Sequence, residues 1–220
     1  MKDTKANILE AAKTLFNKLG IADVTLRRIA SELKISQGNL NYHYKRREDI
    51  LEALYFEMVI DFDARVNNIE STKIDLAVIY KQSRVSMFQM AEYNFIWRDL
   101  SQLLRENETI LKHFTEVYQK RFLGYRHVFG LLVAAGEMRP SQIEQEYDHL
   151  ANRLISYSDF WLSSVALYQT PLTPATITEH HLILFETFYP YLTTNGQKSY
   201  QKVLDRGKLK KGTKSVTTSL

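Results

Sequence analysis

Apolar residues recur at helical spacing along most of the chain, and this pattern predicts an all-α fold. The first stretch, residues 3–19, has one apolar face, and Gly20 follows it as a C-terminal stop. An amphipathic stripe then runs from Arg47 to about Ile69. Further helices are predicted over residues 74–93, 95–105, 108–135, 141–168, 174–189 and 197–204. We see no strand pattern, internal repeat or glycine-rich phosphate loop in the sequence.

Two local signals mark the starts of later helices. Ser141 and Glu144 have the spacing of a capping box, which predicts that the helix to about Tyr168 opens there. Thr173 suits the N-cap of the next helix, because Pro174 then occupies the first helical position.

The segment from Thr25 to Leu51 joins an apolar helix, a turn at residues 34–36 and a polar helix. Ser36 is a good N-cap for the polar helix, in which only Leu40 faces a core. A helix with one apolar anchor is not held by its own burial, so its outer face is expected to contact a polar partner. Two helices joined by a short turn form the helix-turn-helix arrangement, which places its second helix in the DNA major groove.

At these residues the chain resembles the TetR (tetracycline-repressor-like) family of bacterial transcription regulators. The signature covers roughly the first fifty to sixty residues and is specific as a set. It consists of the run Ile8–Ala12, Leu15-Phe16, Gly20, Thr25, Ile29-Ala30, the run Ser36–Leu40, the run Tyr42–Lys45, Glu48 and Leu51. The chain departs from the family pattern at three positions. Asn41 and Ile21 stand where the family commonly has an aromatic residue, and Tyr44 stands where it commonly has Phe.

The resemblance implies three parts. Residues 1–46 form a three-helix helix-turn-helix DNA-binding domain, and residues 47–204 form a helical ligand-binding and dimerisation domain. Residues 205–220 are expected to form a disordered basic tail, since they combine Gly, Lys, Ser and Thr.

Candidate DNA contacts lie on the polar helix and beside it. Amides pair bidentately with adenine, so Gln37 and Asn39 are expected at base edges, and Gly38 permits close backbone approach. Phosphate contacts are expected from Arg27, Tyr42, His43 and Arg47, and Asn41 suits either role. The whole predicted set is Thr25, Arg27, Arg28, Ser36, Gln37, Gly38, Asn39, Asn41, Tyr42, His43, Lys45, Arg46 and Arg47.

The cluster of Lys45, Arg46 and Arg47 begins the long helix, where adjacent cations oppose the helix dipole unless an anion lies nearby. A phosphate is the natural anion, whereas an ordinary charged connector is the alternative. Solvated surface groups are likewise the alternative for Arg27 and Arg28.

The aromatic residues of the body suggest a pocket with apolar walls and polar tips. For each residue taken singly, a place in the core is the favoured interpretation, but together they predict a site among helices 47–69, 74–93, 108–135 and 141–168. Arg84, Arg98, Arg121 and Arg126 are expected to point outward, so a largely apolar small molecule is predicted. The candidate walls are Phe62, Met87, Phe88, Tyr93, Trp97, Tyr118, Phe122 and Trp161.

One recognition helix covers few bases, so a homodimer reading two half-sites is predicted. The helices 141–168 and 174–189 form a hairpin whose apolar stripes serve the dimer or the monomer core. These stripes are Leu150, Leu154, Tyr157, Trp161 and Val165 on one helix, and Ile177, Leu184, Phe185 and Phe188 on the other. A ligand that displaces the helix 47–69 would change the separation of the two DNA-binding heads and release DNA.

Composition narrows the possible classes. The chain has 220 residues, 45% of them hydrophobic, and no cysteine, which excludes disulfides and thiolate metal sites and fits a cytoplasmic protein. The N-terminus has no signal-peptide pattern, and no apolar run is long enough for a membrane span. His180 and His181 point about 100° apart on a helix, so a solvated or interface pair is expected rather than a metal site.

Three functional classes remain. The first is a ligand-responsive DNA-binding regulator, a repressor released from its double-stranded operator by a small, largely apolar molecule. The second is a DNA-binding regulator controlled by a protein partner. The third is an all-helical enzyme with an accidental N-terminal match. We favour the first, with no catalytic residues, no cofactor and no metal.

Overall fold

The computed structural model describes residues 4–69 and 74–212, with side chains over 4–64 and 74–205. The predicted all-α class is confirmed. Within the described residues, the β pairing consists of a single antiparallel bridge between Met138 and Leu192. The helices are α1 (Thr4–Leu19), α2 (Leu26–Glu32), α3 (Gln37–His43), α4 (Arg47–Ile69), α5 (Leu76–Glu92), α6 (Asn94–Arg98), α7 (Leu100–Glu106), α8 (Glu108–Ala134), α9 (Glu146–Leu167), α10 (Pro174–Glu186), a 3-10 helix (Tyr189–Tyr191) and α11 (Thr194–Gly212).

The chain packs as two compact units. The first contains α1 to α4, α6, α7, the end of α5 from Gln89, α8 as far as Val117 and α9 from Asp159. Its buried apolar core includes Ile8, Ala12, Phe16, Ile29, Leu40, Ile50, Leu54, Phe95 and Trp161. Because the N-terminal helices share this core with α4 and α6, packing does not mark a break at residue 46. The predicted domain boundary there stays a prediction.

The second unit contains α5 as far as Phe88, α8 from Tyr118, α9 as far as Ser158, α10 and α11. Most residues of the two predicted hairpin stripes are already buried in the single chain. Leu150 and Leu154 lie in this unit's core with Leu184, Phe185 and Phe188. These side chains therefore serve the monomer core.

His181 belongs to the core of the second unit, so the prediction of a solvated or interface pair is wrong for this residue. Its side chain is fully buried, and its Nε2 lies 2.9 Å from the Ser83 hydroxyl. The Tyr80 ring packs edge-on against it at 4.7 Å. Burial lowers the pKa of His181 to about 4, with the Arg84 charge acting in the same direction, so the imidazole is neutral near pH 7.

The predicted capping box at Ser141 and Glu144 is wrong, because α9 begins only at Glu146. Gln145 adopts a left-handed backbone with φ 58°, which ends the turn before the helix. The carboxylate of Glu146, the first residue of α9, accepts the Gln142 N–H of the preceding loop at 2.8 Å and pairs with Arg139 at 2.7 Å. The hydrogen bond from Arg139 is the largest reason why the pKa of Glu146 falls to about 2.

Two other predicted helix bounds change. The helix predicted over residues 95–105 is broken into α6 and α7 at Asp99, whose carboxylate accepts the Ile21 N–H at 3.3 Å. The helix α11 continues to Gly212, so residues 205–212 of the predicted disordered tail are helical. Lys and Arg in this stretch are good helix formers and no proline interrupts it. Residues 213–220 lie outside the described residues.

The first turn of α11 is pressed against the segment that follows α8. The Glu137 carbonyl accepts the Thr193 N–H at 3.0 Å, and the Glu137 carboxylate accepts the Leu76 N–H at 2.9 Å. A Cβ added to Gly196 would lie 1.9 Å from the Glu137 carbonyl oxygen. Glu137 thus joins the starts of α5 and α11, and Gly196 permits the close approach.

Candidate nucleic-acid interface

The turn between α2 and α3 is held by side-chain caps at both helix starts. The Thr25 hydroxyl accepts the Arg28 N–H at 3.2 Å, and the Ser36 hydroxyl accepts the Asn39 N–H at 3.1 Å. Lys34 adopts a left-handed backbone with φ 55° between the two helices. The predicted cap at Ser36 is therefore confirmed, and Thr25 caps the start of α2 in the same way.

One side of α3 is buried and the other faces solvent. Leu40 is fully buried, while the side chains of Gln37, Asn39 and Asn41 are exposed. Tyr42 is 85% exposed, which is unusual for so large an aromatic side chain. The fold itself makes little use of this outer face, which is available to a partner.

Gly38 has no packing reason to be a glycine. Its φ is not left-handed, and a Cβ added there would meet only the Ser36 hydroxyl, at an ordinary 3.9 Å. Since the protein's own packing does not require glycine here, close approach of an external surface is a physical reason for it.

The basic cluster at the start of α4 has anions within the chain. Arg46 donates to Asp49 from its backbone at 2.9 Å and from its guanidinium at 3.0 Å. Arg47 donates to the Ile21 carbonyl at 3.1 Å and pairs with Glu48 at 3.2 Å. Lys45 is exposed, so it is the member of the cluster best placed for an outside phosphate. Because the carboxylates of Asp49 and Glu48 already lie beside Arg46 and Arg47, the cluster does not need a phosphate to offset the helix dipole.

The remaining predicted DNA contacts flank this face. Arg27 and Arg28 are exposed on α2. His43 is half-buried, and its ring meets the Tyr42 ring edge-on at 5.3 Å. The structure thus brings the predicted residues together around α3, and their contact with DNA stays a prediction.

The eight predicted ligand-site residues divide between the two compact units. In the first unit Tyr93, Trp97 and Trp161 are buried and Phe62 is half-buried. The Tyr93 hydroxyl donates to Glu57 at 2.8 Å. In the second unit Met87 is buried, whereas Phe88, Tyr118 and Phe122 are half-buried. The Tyr118 hydroxyl donates to Asn152 at 2.8 Å.

Two open surface clefts among the described residues contain none of these eight side chains. One of them, about 270 Å³, lies by Arg126 and Glu146 in the second unit. The other, about 420 Å³, lies by α1 and Glu57 in the first unit. The predicted ligand walls stay a prediction.

Two of the four arginines expected to point outward do not. Arg98 donates to the carbonyls of Phe16 and Asn17, and Arg121 donates to the Ser158 hydroxyl at 2.7 Å. Sequence reasoning did not select Arg98, Asp99 or Asn17 as functional residues. Their partners are about eighty residues away along the chain, so no local pattern could have found them.

Neither a cluster of potential metal ligands nor a membrane-spanning helix is found in the part of the chain that the structure describes. No group of three or more His, Asp or Glu side chains there is arranged to hold a metal ion. No helix in residues 4–69 and 74–212 is long and apolar enough to cross a membrane.

A buried anchor beneath a polar, solvent-facing second helix, with a capped turn before it, defines a helix-turn-helix DNA-binding regulator. The chain belongs to the TetR family of bacterial transcription regulators. The model of bacterial regulatory proteins of the tetR family matches residues 8–54, and that of a bacterial transcriptional repressor matches residues 58–200. The family resemblance seen in the sequence is therefore confirmed.

Similar proteins support the same family. The HTH-type transcriptional regulator SAR2658 of Staphylococcus aureus (strain MRSA252) is 26% identical over 129 residues, which cover 58% of this chain and 68% of that protein. A TetR-family regulator from Marinobacter aquaeolei VT8 has a TM-score of 0.81 and 23% identity, covering 92% of this chain and 96% of its own.

A second solved structure is SmeT, the repressor of the Stenotrophomonas maltophilia multidrug efflux pump SmeDEF. Its TM-score is 0.63 and its identity 15%, with 88% of this chain and 92% of that chain covered. SmeT has also been solved in complex with triclosan. At these identities the two solved structures show likeness of fold.

Proposed function

We propose that the protein is a cytoplasmic, homodimeric repressor that releases its DNA operator when it binds a small, largely apolar molecule. The main observation that supports DNA recognition is the exposed polar face of α3, which lies opposite the fully buried Leu40. Gln37 and Asn39 take the base-reading role and Tyr42 and Lys45 the phosphate-binding role. Regulation, and not catalysis, is the activity that this arrangement supports.

Support for a small-molecule effector comes from the aromatic body and from a relative. SmeT, which shares the fold, binds triclosan, an apolar aromatic molecule. Trp97 and Tyr93 of this chain are buried in the first unit and offer aromatic surface with polar tips. Control by a protein partner is the second candidate, and exposed apolar side chains such as Ile60 (67% exposed) would suit such a partner.

The test begins by selecting an operator from a random double-stranded DNA library with the purified full chain. Triclosan and a panel of other apolar aromatic compounds are then added, and thermal stability and operator anisotropy are measured. We expect one compound class both to raise the Tm and to release the operator. A compound that binds the folded protein raises its Tm, and one that prefers the conformation unable to bind DNA also releases the operator. If no compound does so and a co-purifying protein releases the operator, the protein-partner candidate replaces this one.

The proposed dimer interface lies on α9. Phe160 and Leu167, seven residues apart and so on one helical face, are 51% and 74% exposed, and Tyr168 beside them is 75% exposed. Apolar side chains in such a row on a soluble protein indicate an interaction surface. The TetR family acts as dimers on DNA, and this row is our proposed contact for the present chain.

Replacing Phe160 and Leu167 together by Glu should give a monomer, since like charges would face each other across a two-fold axis. Light scattering at micromolar concentration should then report about 25.7 kDa instead of about twice that mass. Leu123→Glu is the control, because Leu123 is an exposed apolar residue on α8 (62%) outside this row. A double variant that remains dimeric, or a wild-type monomer, would rule out the interface.

A further inference from the structure

The C-terminal end of α1 is held by polar groups from the segment between α5 and α7. The Asn17 amide donates to the Glu92 carbonyl at 2.8 Å, and its carbonyl oxygen accepts the Phe95 N–H at 3.2 Å. One side chain of α1 thus satisfies backbone groups at the end of α5 and the start of α6. Such groups have no partner within their own helices.

Two residues of this segment reach back to α1. The Arg98 guanidinium donates to the carbonyls of Phe16 at 3.3 Å and Asn17 at 3.4 Å, which belong to the last turn of α1. A cation is favourable there because the helix dipole places negative charge at that end. Asp99 accepts the Ile21 N–H at 3.3 Å, just beyond Gly20.

Gly20 fits this arrangement closely. It has φ 89°, and a Cβ added to it would lie 3.2 Å from the Arg98 guanidinium. The Phe16 and Phe95 rings stack at 5.2 Å beneath the polar contacts. We name Asn17, Arg98 and Asp99 the α1 latch.

The short helix α6 is also held by α9. The Ser163 hydroxyl donates to the Trp97 carbonyl at 2.8 Å and lies 3.3 Å from that of Arg98. A continuous line of hydrogen bonds therefore runs from α9 through α6 to α1. The same end of α9 carries Phe160 and Leu167, the proposed dimer contact.

We propose that the α1 latch positions the DNA-binding head and thereby sets the separation of the two recognition helices in the dimer. The inference rests on the proposed function, since it needs a dimer that reads two half-sites. The helix α4 connects the head, which consists of α1 to α3, covalently to the rest of the chain and shares its buried core. A second attachment, through α6 and α9, fixes the angle of the head.

A latch of this kind differs from a structural support of α3 itself. Asn17 belongs to α1, and Arg98 and Asp99 contact the end of α1 and the residue after Gly20. The helix α3, in contrast, is anchored by Leu40 and capped by Ser36. Breaking the latch should therefore spare the contact of one head with one half-site. It should weaken the preference for the correct spacing between half-sites.

The test uses the full chain with Arg98→Gln and the operator recovered by selection. Anisotropy is measured on the selected duplex, on a duplex whose half-sites are moved apart by about two base pairs, and on a single half-site. We expect the preference for the selected spacing to fall by about tenfold, a change of about 1.4 kcal/mol, with single half-site affinity changed by less than about twofold. Arg98→Lys should restore part of the preference.

Arg105→Gln is the matched control, because Arg105 is exposed on α7 and its loss removes the same charge. Asp99→Asn provides a second test if Arg98→Gln does not fold, since it keeps the side-chain size and weakens the contact to Ile21. Unchanged spacing preference in folded latch variants would overturn the inference, as would an equal loss on the single half-site. Failure to select any operator would instead contradict the proposed function, and the inference with it.

Discussion

Replacing Gln37 and Asn39 by Ala should abolish sequence preference while leaving the protein folded. Each amide that pairs with a base contributes about 1–3 kcal/mol of discrimination, so operator affinity should fall by about 5- to 150-fold for each residue. Affinity for unrelated duplex should change little, because phosphate contacts supply it. The measurement is anisotropy on the selected operator and on a scrambled duplex at one fixed salt concentration.

Gln119→Ala is the control for this pair, since Gln119 is an exposed amide on α8. Urea unfolding should show that the double variant retains its stability to within about 0.5 kcal/mol, as exposed positions usually do. Retained discrimination between operator and scrambled DNA would show that other residues read the bases.

Gly196→Ala should destabilise the second unit, contrary to what helix propensity alone predicts. Ala is favoured over Gly in a helix by about 1 kcal/mol. However, the added Cβ would lie 1.9 Å from the Glu137 carbonyl oxygen and 2.8 Å from its carbon. Backbone atoms cannot rotate aside, so α11 must shift and lose contacts around Tyr200 and Val203, both buried. We expect a net loss of about 2–3 kcal/mol, in the range measured for overpacked sites.

Gly124→Ala is the matched control for that substitution. Gly124 lies within α8, and a Cβ added there meets nothing within 4 Å. The control should therefore be stabilised by about 0.5–1 kcal/mol. Urea denaturation of both variants measures the difference in their free energies of unfolding. Equal midpoints would show that α11 can shift to accept the added Cβ without loss of stability.

The N-terminal helices were predictable because short-range signals determine them. Ser36 and Gly20 act on residues within four positions, so their roles as cap and stop follow from the sequence. Thr173 likewise caps α10 through the Thr176 N–H, with Pro174 in the first turn as predicted. The buried anchor Leu40 follows from a single apolar residue in a polar run.

The other features depend on contacts between distant segments. Arg98 resembles any exposed helical arginine until the end of α1 is placed beside it. Where a capping box was predicted at Ser141, the structure has a left-handed Gln145 and an ion pair between Arg139 and Glu146, neither of which the spacing shows. Aromatic periodicity likewise could not separate core from pocket, since Trp161 and Tyr93 bury equally well in either.

In α3, one buried residue holds the helix in place while the exposed residues are free to contact DNA. This separation affects how operators and their regulators can evolve together. Leu40 alone ties the helix to its core, so packing among the described residues places little constraint on the exposed Gln37, Asn39 and Asn41. Under the proposed DNA-reading role, substitutions at these positions would be selected almost purely for the DNA sequence that they contact. Duplicated copies of such a gene can therefore diverge in target sequence without first losing a stable fold, and designers can exchange the outer residues of α3 as a set.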